Sequence, residues 1–78
     1  MARLRLFGPA RQAAGTSGIS VPAKDVAEVI ERASARFGPS FSAILATSQL
    51  WLNGDQTTLS APVSDEDEVA VIPPVSGG

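Results

Sequence analysis

Ala2, Leu4 and Leu6 alternate with Arg3, Arg5 and Phe7, and a period of two predicts a strand with one aliphatic face and one basic face carrying an aromatic. Gly8-Pro9 ends it. Pro9 then predicts a short helical turn through Ala10, Arg11, Gln12, Ala13 and Ala14, closed by Gly15. Thr16-Ser17-Gly18 reads as a turn, and Ile19-Ser20-Val21, stopped by Pro22, as an edge strand antiparallel to the first. From Val26 to Phe37 the period lengthens, and Val26, Val29, Ile30, Ala33 and Phe37 fall on one stripe of a helix. Both ends are marked: Asp25 is placed to cap the first turn, Glu28 stands at the reciprocal capping-box position, and Gly38-Pro39 stops the helix. Glu28 and Arg32 make an i, i+4 pair on its solvated face.

In the second half, Ser40 is expected to cap a short helix whose Phe41, Ile44 and Leu45 close the end of the core. Gln49 to Leu52 predicts a strand, Asn53-Gly54 a tight hairpin turn, and Thr57-Thr58-Leu59 the returning edge strand. Trp51 points away from Leu50 and Leu52, toward either a lesser core or a partner surface, and the core is favoured. Asp65-Glu66-Asp67-Glu68 reads as a solvated acidic turn, because adjacent carboxylates at a turn seldom converge on one metal ion. Val69 to Ile72 is a continuous apolar run, which predicts a strand covered on both faces and therefore central, parallel to the first strand and beside Gln49 to Leu52. Pro73-Pro74 cannot continue a ladder. Residues 73–78 thus form an extended tail, with Gly77 and Gly78 lacking side chains and a reach of at most roughly 20 Å. The element order is that of an α+β β-grasp: a mixed sheet, one main helix packed on one face, a domain over 1–72 and the tail beyond it.

Composition removes most catalytic classes. At 78 residues the chain is one small domain, with no cysteine and no histidine, so disulfides, thiolate chemistry and the usual general base are excluded. A net charge of −2 and scattered basic residues argue against nucleic acid. No run approaches a membrane span and Met1 to Phe7 is too interrupted for a signal peptide, so a cytoplasmic protein is expected. Gly8 and Gly15 are not followed by a Gly-Lys-Ser/Thr motif, so the chain has no phosphate loop of its own. The carboxylate of Gly78 is expected to be the least hindered carboxyl group in the chain.

Leu4-Arg5-Leu6-Phe7-Gly8-Pro9-Ala10-Arg11, Asn53-Gly54 and Asp67 through Gly78 resemble the MoaD/ThiS family of β-grasp sulfur carriers along the whole chain. The Pro-Pro-Val-Ser-Gly-Gly ending resembles the molybdopterin synthase small-subunit branch more than the thiazole carriers. The resemblance implies that Gly78 is adenylated by a separate E1-like, MoeB-like enzyme using ATP, then converted by a sulfur donor to a thiocarboxylate. It also implies that Pro73, Pro74, Val75, Ser76 and Gly77 carry that end into a MoaE-like large subunit, in a heterotetramer that builds the dithiolene of molybdopterin. The carrier itself supplies no catalytic side chain. Phe7 matches an apolar position of the family's partner-facing surface, and Arg11 its helix-start arginine; from the residues alone Phe7 is equally core and Arg11 equally a surface ion pair. Alternatives from other classes stay open: a carrier for thiazole or cysteine synthesis, a ubiquitin-like modifier joined through Gly78, for which Lys24 is the lone internal lysine, or a non-covalent β-grasp interaction module.

Overall fold

A computed structural model describes residues 1–74 of the chain. The elements are β1 (Ala2–Leu6), α1 (Gly8–Ala14), β2 (Gly18–Val21), α2 (Val26–Phe37), α3 (Pro39–Leu45), β3 (Gln49–Leu52), β4 (Asp55–Gln56) and β5 (Glu68–Ile72). They build one five-stranded sheet in the order β2-β1-β5-β3-β4. β5 lies at its centre, parallel to β1 and antiparallel to β3, and β2 pairs antiparallel to β1 at one edge. The fold is the α+β β-grasp expected from the element order.

The three helices share one side of the sheet. Ala10 of α1, Val26, Val29 and Ala33 of α2 and Phe41 of α3 form a single buried cluster with Ala2, Leu4 and Leu6 of β1 and Val69 and Val71 of β5. Alternation along the strands sends Arg3, Arg5, Ala70 and Ile72 to the other face. No described element covers that face. The expectation that β5 is buried on both sides is therefore corrected: Val69 and Val71 are buried, Ala70 and Glu68 half-buried and Ile72 exposed. Its apolar run comes from an open apolar surface, not from a second layer.

The α2 boundaries match the helical stripe, and Asp25 caps it by accepting a hydrogen bond from the Glu28 N–H at 2.8 Å. Glu28 reaches back one residue further than a reciprocal box requires, accepting from the Lys24 N–H at 2.9 Å. Ser40 does not cap α3. Gly38 occupies the cap position with φ +88°, and Pro39 starts the helix, so the backbone turn supplies what a side-chain cap was expected to provide. The hairpin return is also corrected, from Thr57-Thr58-Leu59 to Asp55–Gln56. Asn53 and Gly54 both have positive φ, 51° and 89°, and such a two-residue turn pairs the next residue at once, Leu52 with Asp55 and Trp51 with Gln56. Thr57 adds one ladder bond, its N–H donating to Leu50 C=O at 2.9 Å, before the chain leaves the edge.

Candidate functional site: the tail root and the open sheet face

β5 fixes where the tail departs. Its residues pair on both sides, Arg5 with Ala70 and Leu6 with Val71 toward β1, Leu50 with Val71 and Gln49 with Ile72 toward β3, so Pro73 emerges from the most constrained strand of the sheet. Pro73 is still buried and Pro74 is exposed. Together with Thr47, Gln49 and Ile72 they line a hollow of about 280 Å³ at the root. Val75, Ser76, Gly77 and Gly78 lie outside the described residues.

Beside the root, the open face carries an apolar and aromatic strip. Phe7 is 41% and Ile72 37% exposed, among the most exposed large hydrophobic side chains described, with Trp51 and Ala70 half-buried between them and β4. The registers set Arg5, Ala70, Trp51 and Gln56 in one row across four strands. Trp51 thus faces away from the helices, and its expected place in a lesser core is corrected: β3 directs Leu50 and Leu52 to the helix side, and the indole Nε1 donates only to Gln49 Oε1 at 3.3 Å.

Phe7 stands at the corner between β1 and α1. Gly8 turns the chain there with φ +53°, a conformation that glycine adopts without steric cost. The Phe7 C=O accepts from the Ala10 N–H at 3.2 Å and the Arg11 N–H at 3.4 Å, which brings Phe7 and Arg11 to one corner through the backbone. Its exposure removes Phe7 from the core. Arg11 is exposed as well, and among the described residues no carboxylate lies within ion-pair distance of it.

The charges around this face are few and solvated. Arg5 lies 3.9 Å from Glu68 and its guanidinium sits 5.5 Å from the Phe7 ring centroid. At the acidic turn, Asp67 is held below the usual carboxylate range by the Asn53 amide, then by the backbone N–H of Ser64. The described residues contain no cluster of His, Cys, Asp and Glu able to hold a metal ion, and no described helix is long and apolar enough to cross a membrane. The opening of Ala70 and Ile72 onto this face is what sequence reasoning missed. A signal was present: β1 alternates with solvated arginines, so any neighbour paired to it residue by residue has to share that open face.

Comparisons with known proteins agree with this architecture. The putative molybdopterin converting factor subunit 1 from Pyrococcus furiosus is 26% identical, with a TM-score of 0.79 over 95% of this chain and 97% of that one. A chain in the complex of subunits 1 and 2 of molybdopterin-converting factor from Helicobacter pylori is 27% identical, with a TM-score of 0.71 over 99% of this chain and 97% of that one. The small archaeal modifier protein 1 of Methanosarcina acetivorans shares the fold, with a TM-score of 0.88 at 23% identity over 99% of this chain and 95% of that one. No curated protein matches by sequence. The sequence model of the ThiS family matches residues 4–78, nearly the whole chain and through the glycine end, and the chain belongs to the ThiS family.

Proposed function

We propose that this protein is a sulfur carrier whose Gly78 carboxylate is the reacting group, and that it serves as the small subunit of a molybdopterin synthase. The observation that carries the reading is the family match running from β1 to Gly78 on a chain with no cysteine or histidine. An activating enzyme would join the carboxylate oxygen to the α-phosphorus of ATP, releasing pyrophosphate. A sulfur donor would then displace AMP from the acyl carbon and leave a thiocarboxylate. Adenylation is needed because a carboxylate is a poor electrophile and AMP a good leaving group. Positioning and proton transfer fall to the partner, which holds the narrow glycine end in line. The molybdopterin branch is supported by two relatives above 25% identity, both described as subunits of molybdopterin-converting factor.

In this reading the open sheet face seats the partner while Pro73 and Pro74 direct the tail into its active site, with Phe7 and Arg11 at the rim. The test is reconstitution with a molybdopterin synthase large subunit and its pterin precursor. Thiocarboxylated protein should yield the dithiolene product and return to the carboxylate form. Sulfur transfer to a thiazole or cysteine acceptor instead, with no dithiolene, would move the protein to another branch. Isopeptide conjugates in place of both would make it a modifier.

A further inference from the structure

The open face is not uniformly apolar. On the side of the strip toward β2 lies a groove of about 530 Å³ whose lining includes Arg3, Arg5, Gly18, Ser20 and Glu68. Gly18 is the cross-strand partner of Arg5, and a Cβ there would stand 2.8 Å from the Leu4 carbonyl oxygen. The strands approach too closely at that point for a side chain, so the groove has a bare floor opposite Arg5. A chain of net charge −2 thus concentrates two of its cations on the open face of β1, between β2 and β5, with Arg3 opposite Glu68 at the start of β5. Arg5 is pre-positioned by the Phe7 ring at 5.5 Å, a geometry in which the aromatic face attracts the cation. Its only carboxylate partner among the described residues is Glu68 at 3.9 Å, with both side chains solvent-accessible; such a pair is weak and readily exchanged. Arg3 has no carboxylate within ion-pair distance among the described residues.

We infer that this groove takes a carboxylate side chain of the protein that receives the tail, so that the partner surface opposing Arg3 and Arg5 is acidic and its apolar part lies over Phe7, Ala70 and Ile72. The inference rests on the tail-insertion reading for the identity of the partner and on the charge pattern for its chemistry. Guanidinium groups pair with carboxylates in fixed fork geometry, and complementary charge raises association rate and fixes register.

Two measurements test it. In the first, the isotopically labelled protein is titrated with a hexaglutamate peptide. Amide shifts should concentrate at Arg3, Arg5, Gly18 and Ser20 and vanish in R3Q/R5Q, leaving Arg32 and Arg36 on the helical side unmoved; equal shifts at Arg32 and Arg36, or none in the groove, overturn the inference. In the second, R3E/R5E should associate with the large subunit on the order of tenfold more slowly than the unmodified protein at low salt, with the difference closing at high salt. An unchanged rate and salt slope with the large subunit overturns it. Failure of the unmodified protein to load sulfur would refute the carrier reading while leaving the shift map in force, and diffuse shifts with normal loading would refute only the acidic dock.

Discussion

The side-chain amide of Asn53 spans the hairpin and the acidic turn, with Nδ2 donating to Asp67 Oδ1 at 2.9 Å while its Oδ1 accepts from the Glu68 N–H at 2.9 Å. The residue that makes the tight turn also holds the start of the strand that carries the tail. Asn53 adopts positive φ, which its short polar side chain tolerates, so one residue serves the turn and the clamp.

An acid-limb prediction follows from that clamp. The Asp67 carboxyl is held low first by Asn53, so its contribution to stability is present above the unfolded carboxylate range and is lost as pH falls through the lower folded value. N53G preserves the turn, since glycine accepts positive φ, yet removes the main cause of the shift. Denaturant midpoints measured from roughly pH 2 to 5 should fall less steeply with acid for N53G than for the unmodified protein. Parallel slopes would show that the clamp does not act on Asp67.

Core substitutions at β5 should be severe. Val71 is fully buried beside Leu6 and Leu50, and Val71→Asp strands a charge among hydrocarbon, costing several kcal/mol of a domain stability of about 5–15 kcal/mol. Phe41 is the largest fully buried side chain, and Phe41→Ala should cost about 3–5 kcal/mol. Calorimetric melting checks both, and near-native melting of Val71→Asp would contradict the helix-side burial of β5.

Phe7 should separate recognition from stability. With the residue 41% exposed, Phe7→Ala should barely move melting, whereas loss of an aromatic anchor at a protein interface costs about 1–3 kcal/mol of affinity. Titration calorimetry with the activating enzyme or the large subunit reads the loss. Unchanged affinity for both would take Phe7 out of the dock.

The strands and main helix were legible because their signals are local. The period-two run of β1, the stripe and cap of α2 and the Asn53-Gly54 turn each name an element without help from the rest of the chain. Ser40 and Thr57 to Leu59 misled for the opposite reason: the Gly38 backbone and the two-residue turn geometry settle the cap and the pairing first, and side-chain propensity then has nothing left to decide. The two-sided burial read for Val69 to Ile72 failed because an apolar run has the same appearance whether it meets a second layer or a partner protein. Trp51 failed with it. The glycine end is a sequence motif that the family match runs through, and its conformation lies outside the described residues.

The central claim is that the terminal carboxylate of Gly78 carries the activity, and the most direct measurement is intact mass spectrometry after incubation with the activating enzyme, ATP and a sulfur donor. The unmodified protein should gain one sulfur in place of one oxygen at its C-terminus. A protein lacking Gly78, or extended by one alanine, should melt as the unmodified protein does, because the described core is built from residues between Ala2 and Val71, and should not load, because the reacting carbon is displaced from its aligned position. Equal loading of the extended protein would contradict the account.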